Sequence, residues 1–231
     1  MADLFLIVIV CSVIVGVLLY RNKKYKETAY YQITGNSYSS VKYDKGKHGE
    51  YLIYKRLRKF EDIGGKFLFN IYIPKSNGDT TEIDLLLICS KGLFVIESKN
   101  YGGWIFGNEA NRNWTQTFPK GRGRSHKERF YNPIRQNASH VRHLRNLIGG
   151  DTPMRSIIVF SDECTLKDVT VNSDVSVVYR CHVLSAVNQI YKTQTDLLTQ
   201  EEVNALYDKL YPYTQVCFDT MSQHASNIRN Y

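Results

Sequence analysis

TEIDLLLICSKGLFVIESK, residues 81–99, is the stretch from which the fold is read. Two apolar runs, 83–88 and 93–96, flank the short turn Ser90-Lys91-Gly92. Each run is too short for a buried helix and is bounded by turn residues, so the pair reads as two adjacent antiparallel strands. Upstream lies FLFNIYI (67–73), joined through Asn77-Gly78, the strongest short-range hairpin signal. A three-stranded meander follows. Before it, Leu52, Ile53, Leu57 and Phe60 recur near helical spacing with Lys55, Arg56, Arg58 and Lys59 opposite, an amphipathic helix from Lys47 to Phe60 ended by Gly64-Gly65.

Residues 101–129 are rich in Gly, Asn and Arg and read as one or two short strands with a long irregular basic loop. Asn132-Pro133 is an N-cap followed by proline at the first helical position. That helix runs to about Leu147, with Ile134, Val141, Leu144 and Ile148 on one stripe and Gly149-Gly150 after it. SIIVFS (156–161) and VSVVY (175–179) are further strands, and 182–191 is helical. Thr199 and Glu202 form a capping box that opens a last helix to about Tyr211. The expected architecture is one mixed α/β domain.

The N-terminus differs in kind. Leu4 to Tyr20 carries no charge, and seventeen residues at about 1.5 Å each nearly match a hydrocarbon layer of about 30 Å. A cleaved signal peptide would need a basic start, whereas Asp3 is the charged side chain before the run. Residues 1–20 therefore read as a transmembrane helix. Arg21, Lys23, Lys24 and Lys26 follow at once, which places the N-terminus outside and the remainder in the cytoplasm. Residues 21–45, Tyr- and Ser-rich without clear periodicity, read as a juxtamembrane tether.

Composition bounds the partners. The 231 residues carry 30 Lys+Arg against 22 Asp+Glu, a formal net charge of +8, which favours nucleic acid or anionic lipid. With 43% hydrophobic residues the chain is neither a disordered tail nor a polytopic membrane protein. Five scattered cysteines, with no C-x-x-C pair, argue against a disulfide scaffold and a thiolate zinc site.

Asp84 sits within an apolar strand, where a carboxylate is costly unless a cation or donors meet it. The plainer alternative is a strand-edge residue facing solvent, since Glu82 shares its face. On the next strand Glu97 and Lys99 point to one side and Ser98 to the other. A tight turn permits a register that brings Asp84 beside Glu97, two hard oxygen donors for one divalent cation, with the Ser98 carbonyl as a third. Taken alone, Glu97-x-Lys99 is equally an ordinary surface ion pair.

Gly49-Glu50, Ile83-Asp84, Glu97-Ser98-Lys99 and Asn132-Pro133-x-x-Gln136, with VIESKNYGGWIFG (95–107) the most specific stretch, resemble the nuclease-related domain (NERD) family. That family resembles a branch of the PD-(D/E)xK restriction-endonuclease-like superfamily. The similarity covers residues 46–150, and 151–231 match only as further strands and helices of the same domain. It implies a restriction-endonuclease-like α/β core: helix, three-stranded meander, helix and further strand, with C-terminal helical additions.

The resemblance implies a catalytic set of Glu50, Asp84, Glu97, Lys99 and Gln136, with Asp84, Glu97 and Ser98 around Mg²⁺ or Mn²⁺. Where the superfamily's namesake motif has proline, this chain has Ile83. The implied activity is hydrolysis of DNA or RNA phosphodiester bonds. A non-catalytic nucleic-acid- or protein-binding module at the membrane is the alternative, and a lipid-binding anchor leaves the acidic pair unexplained. A homo-oligomer is compatible with the sequence, and no small-molecule cofactor is called for. Lys120, Arg122, Arg124, Lys127 and Arg129, flanked by Trp114, Phe118, Phe130 and Tyr131, form a candidate phosphate-gripping loop. Its plain reading is a solvated loop. His140 and His143 read as exposed residues of the following helix, and His48 is a weaker candidate for a role beside Glu50.

Overall fold

The computed structural model describes residues 2–75, 78–121 and 124–216. Asn77 of the expected turn, Arg122 of the basic segment, Cys217 and the side chain of Lys120 lie outside what the structure describes.

The chain opens with α1 (Ala2–Lys26), followed by α2 (Ala29–Thr34) and α3 (Tyr38–Tyr43). Helix α1 is long and apolar enough to cross a membrane, and none of its apolar window is buried within the chain. The segment read as a tether is instead packed. Tyr25 is 3% exposed, and Tyr30, Ile33 and Val41 belong to the main core. The Tyr25 ring meets Tyr31, Tyr38 and Tyr51 edge-on at centroid distances of 5.5, 5.3 and 5.3 Å. Thr28 caps α2 and Ser37 caps α3, each side chain accepting from a main-chain N–H inside its helix.

Helix α4 (Lys45–Leu57) runs into a 3-10 turn (Arg58–Ile63) that Gly64 closes at φ 86°. The meander follows as β1 (Lys66–Pro74), β2 (Thr80–Cys89) and β3 (Gly92–Lys99), antiparallel throughout. Leu85–Cys89 and Leu93–Glu97 are buried without interruption. Helices cover both faces of the sheet, which is why these strands read as apolar runs rather than as alternation.

Three strands then depart from expectation: β4 (Gly103–Asn108), β5 (Asn113–Lys120) and β6 (Arg124–Tyr131). The basic loop is therefore corrected to a hairpin, β5 against β6, with Thr117 opposite Lys127 and Thr115 opposite Arg129. Strand β6 is an edge strand, exposed on both faces from Arg124 to Arg129, so it carries no alternating pattern to read.

Asn132 then caps α5 (Pro133–Ile148), accepting from the Ile134 N–H with Pro133 in the first turn. Next come β7 (Met154–Phe160), β8 (Cys164–Thr170), β9 (Ser176–Tyr179), α6 (Val183–Thr193) and α7 (Gln200–Leu210). The capping box at Thr199 and Glu202 is formed in both directions. Among the described residues the strands make two sheets, ordered β1-β2-β3-β7-β9 and β6-β5-β4-β8. Strand β7 runs parallel to β3, from Leu93 opposite Met154 to Lys99 opposite Phe160. The second sheet packs Ile105 and Trp114 against Ile134, Ile158 and Phe160.

Candidate active site

Strand β3 keeps its pairing to β7 as far as Lys99, but its pairing to β2 ends at Leu85 opposite Ile96. The sheet splits there. The next positions on the two parting strands are Asp84 and Glu97. In place of a ladder hydrogen bond, the Ser98 N–H donates to Asp84 Oδ2 at 2.7 Å. A strand residue sends its N–H and C=O to the same side, so the Ser98 carbonyl is directed toward β2 as well.

A second irregularity lies across β2. Phe69 pairs with Leu85 and Ile71 with Ile83, while Asn70, at φ 49°, is skipped. Asn tolerates this left-handed conformation better than most residues, at a cost of about 1–3 kcal/mol. The turn-out lets the Asn70 side-chain amide donate to Glu50 and to Glu82, each at 3.2 Å. Tyr72 donates to the same Glu82 oxygen at 2.9 Å.

Glu50 arrives from α4, which lies close on β3 because Gly49 has no side chain. A Cβ at Gly49 would sit 2.8 Å from Asn100 Cβ and 3.0 Å from Ser98 Oγ. Gly49→Ala is therefore expected to lift α4 from β3 and displace Glu50, costing about 1–3 kcal/mol, as overpacking usually does. A thermal midpoint equal to that of the native chain would refute this contact. Tyr30, from the juxtamembrane helix α2, donates to Glu50 Oε2 at 3.4 Å.

Glu97 and Lys99 face the other way, toward α5. The Lys99 ammonium donates to Glu97 Oε1 at 2.6 Å and to Gln136 Oε1 at 3.1 Å. The other Glu97 oxygen accepts from His140 Nε2 at 3.2 Å. His140 Nδ1 in turn lies 2.7 Å from the Thr81 hydroxyl. A carboxylate only accepts, so the Nε2 position carries the proton. His140 is thus not exposed, as its neighbours in sequence suggested, but 4% accessible and part of the site's support. Its signal was the four-residue spacing from Gln136, which puts both on one helix face.

The electrostatics divide the carboxyls. Burial, then Glu97 and Glu50, push the Asp84 carboxyl well above the ordinary range. Burial and the charge of Glu82 push Glu50 up to about 8. Burial acts on Glu97 as well, but Lys99 and His140 outweigh it and hold the carboxyl down at about 2. Lys99 is raised by Glu97 against its own burial. At neutral pH the pocket thus combines an ion pair with a Glu50 carboxyl that retains its proton.

Of the remaining predicted residues, Arg124, Lys127 and Arg129 stand exposed on β6. The strand approaches the site at its end, where Phe130 packs edge-on against Tyr101 at 4.9 Å, two residues beyond Lys99. His48 has its Nδ1 buried without a hydrogen-bond partner among the described residues.

A split sheet that carries two carboxylates and a lysine on its parting strands, with a fourth polar group from the next helix, defines a restriction-endonuclease-like α/β domain. The chain belongs to the NERD, nuclease-related domain, family, whose model matches residues 45–161. An uncharacterized protein of Bacillus anthracis is 34% identical over 190 residues, covering 80% of this chain and 84% of that protein. No solved structure matches.

Proposed function

We propose that this nuclease-related chain is a metal-dependent phosphodiesterase acting on DNA or RNA, held at a membrane by α1. The observation that carries the reading is the placement of Asp84, Glu97 and Lys99 where β2 and β3 part. A hard divalent cation, Mg²⁺ or Mn²⁺, suits these residues. Asp84 is a half-buried carboxyl whose charged form is opposed by desolvation and by Glu97 and Glu50, and a nearby positive charge relieves that opposition. Asp84, Glu97 and the Ser98 carbonyl would hold the ion. Among the described residues no three His, Cys, Asp or Glu side chains gather as a ligand group.

When bound, such an ion lowers the pKa of a coordinated water and offsets charge on phosphate oxygens. The chain's own groups supply the rest. Lys99, fixed by Glu97 and Gln136, directs an ammonium donor at the attacking hydroxide or a non-bridging oxygen. Gln136 accepts from Lys99 through its oxygen, which leaves its NH₂ group to orient water or phosphate. Glu50, largely protonated at neutral pH, is available to relay a proton. Arg124, Lys127 and Arg129 provide phosphate contacts along β6. With Arg21, Lys23, Lys24 and Lys26 just after the span, the domain faces the cytoplasm.

One observation favours the rival, a non-catalytic binding module: the Glu97–Lys99 pair, at 2.6 Å, is satisfied without any ion. Incubating the full chain in detergent with DNA and RNA separates the two. Cleavage is expected with Mg²⁺ or Mn²⁺ and is lost in EDTA, in Asp84→Ala and in Lys99→Ala. No cleavage with either metal, or cleavage that survives both substitutions, rejects the enzyme reading.

The raised carboxyls predict a pH dependence for the ion. Metal binding must displace a proton held by Asp84, so affinity should rise with pH, by at most about tenfold per pH unit for each proton released. Calorimetry in buffers of different ionisation enthalpy reads the proton count. A pH-independent affinity would place the ion elsewhere.

A further inference from the structure

Beyond the phosphate contacts of Lys127 and Arg129, the outer surface of the second sheet takes no part in the site above. Strand β4 sends Ile105, fully buried, inward against Trp114 and Phe160. Its alternate residues, Trp104 and Phe106, face outward and are 37% and 36% exposed, and Tyr131 at the end of β6 is 47% exposed. Large aromatics left on an open sheet forgo burial worth about 1.5–3 kcal/mol each. The register then adds charge. Trp104 pairs with Thr117 and Thr117 with Lys127; Phe106 pairs with Thr115 and Thr115 with Arg129.

Trp104 and Phe106 therefore each lie in a row that ends in a cation, and the two rows are about 7 Å apart, one full pleat. A third cation comes from the irregularity in β8 opposite Ile105 and Phe106: Lys167 Nζ lies 5.2 Å from the Trp104 ring centroid. One carboxylate, Asp168 beside Phe106, stands against the three. Between Trp104 and Lys127 the row is closed over: Thr117 is buried, and its hydroxyl has no hydrogen-bond partner among the described residues.

We propose that this face binds single-stranded nucleic acid, with the rings stacking on unpaired bases and Lys127, Arg129 and Lys167 following the phosphates. Base faces are available for stacking only where the strand is unpaired, and a flat sheet with rings spaced along it does not enter a duplex groove. The choice of a polynucleotide partner rests on the nuclease reading and gives it a substrate class.

The test uses the full chain in neutral-lipid nanodiscs, with Asp84→Asn as background so that binding is read without cleavage. Labelled oligothymidylate is expected to bind and to quench tryptophan emission, because Trp104 is exposed whereas Trp114 is 1% exposed. Trp104→Ala with Phe106→Ala should weaken binding by roughly ten- to a hundredfold, while Trp104→Phe stays within about threefold of the parent. Lys127→Gln with Arg129→Gln should lower the salt slope by about 1.4, that is about 0.7 per cation. All four positions are at the surface, so melting midpoints should hold.

Unchanged affinity in the double ring variant overturns the proposal. So does equal affinity for a duplex of the same length, or displacement of the oligonucleotide by vesicles rich in anionic lipid. Failure of the nuclease reading looks different: the native chain cleaves nothing with Mg²⁺ or Mn²⁺, yet ring-dependent binding persists.

Discussion

Asp84→Asn is expected to lower cleavage by at least about 10³-fold and, at the same time, to stabilise the metal-free protein at pH 8. Both effects come from one fact: the native carboxyl is half-buried beside Glu97 and Glu50, and its charged form is disfavoured. A carboxyl whose folded pKa is raised binds more protons in the native than in the unfolded state, so stability falls as pH climbs above its ordinary value. For Glu50 that window runs from 4.5 to about 8, and Asp84 acts in the same direction. Asparagine removes the charge and can still accept from the Ser98 N–H. Denaturation midpoints in detergent, read at pH 5 and pH 8 with EDTA present, check this. An Asn variant less stable than the parent at pH 8 would mean that Asp84 is already compensated.

Lys99→Met is expected to be just as damaging to cleavage and opposite in its effect on the fold. It leaves Glu97, 1% exposed, without its closest cation, and breaking a buried pair typically costs about 3–5 kcal/mol. The depressed Glu97 carboxyl contributes stability above its ordinary value of 4.5, lost as pH falls toward about 2. In the variant that carboxyl takes up a proton more readily, so the loss should shrink as the solution is acidified. A destabilisation that does not change with pH would assign the cost to lost packing of the lysine stem. Two substitutions 15 positions apart in sequence, both abolishing turnover but moving stability in opposite directions, separate charge removal from general disruption.

Much of the fold was legible because its signals are local. The meander shows in short apolar runs between turns, and the caps at Asn132 and Thr199 form where their spacing places them. The second sheet was not legible. Strand β6 is exposed on both faces for most of its length and β8 is largely exposed, so neither carries the alternation that marks a half-buried strand.

The site divides in the same way. Glu50, Asp84, Glu97, Lys99 and Gln136 carry a spacing that a chain can display in one dimension. Tyr30, Asn70 and His140 reach it only through tertiary packing. His140 was also hidden by its helix: the buried positions of α5 are Pro133, Ile134, Asn137, His140 and Leu144, and the polar members blur the stripe on which periodicity depends.

Helix α1 does not end before the folded domain begins; Tyr25 in its last turn is gripped by Tyr31, Tyr38 and Tyr51. With α1 across a bilayer there is no leash. The cleft would keep a constant height and attitude above the lipid, within a few nanometres of the headgroups. Polymers deep in the cell interior would never meet it, whereas any strand grazing that surface would be searched by a protein confined to two dimensions, patrolling an area instead of a volume.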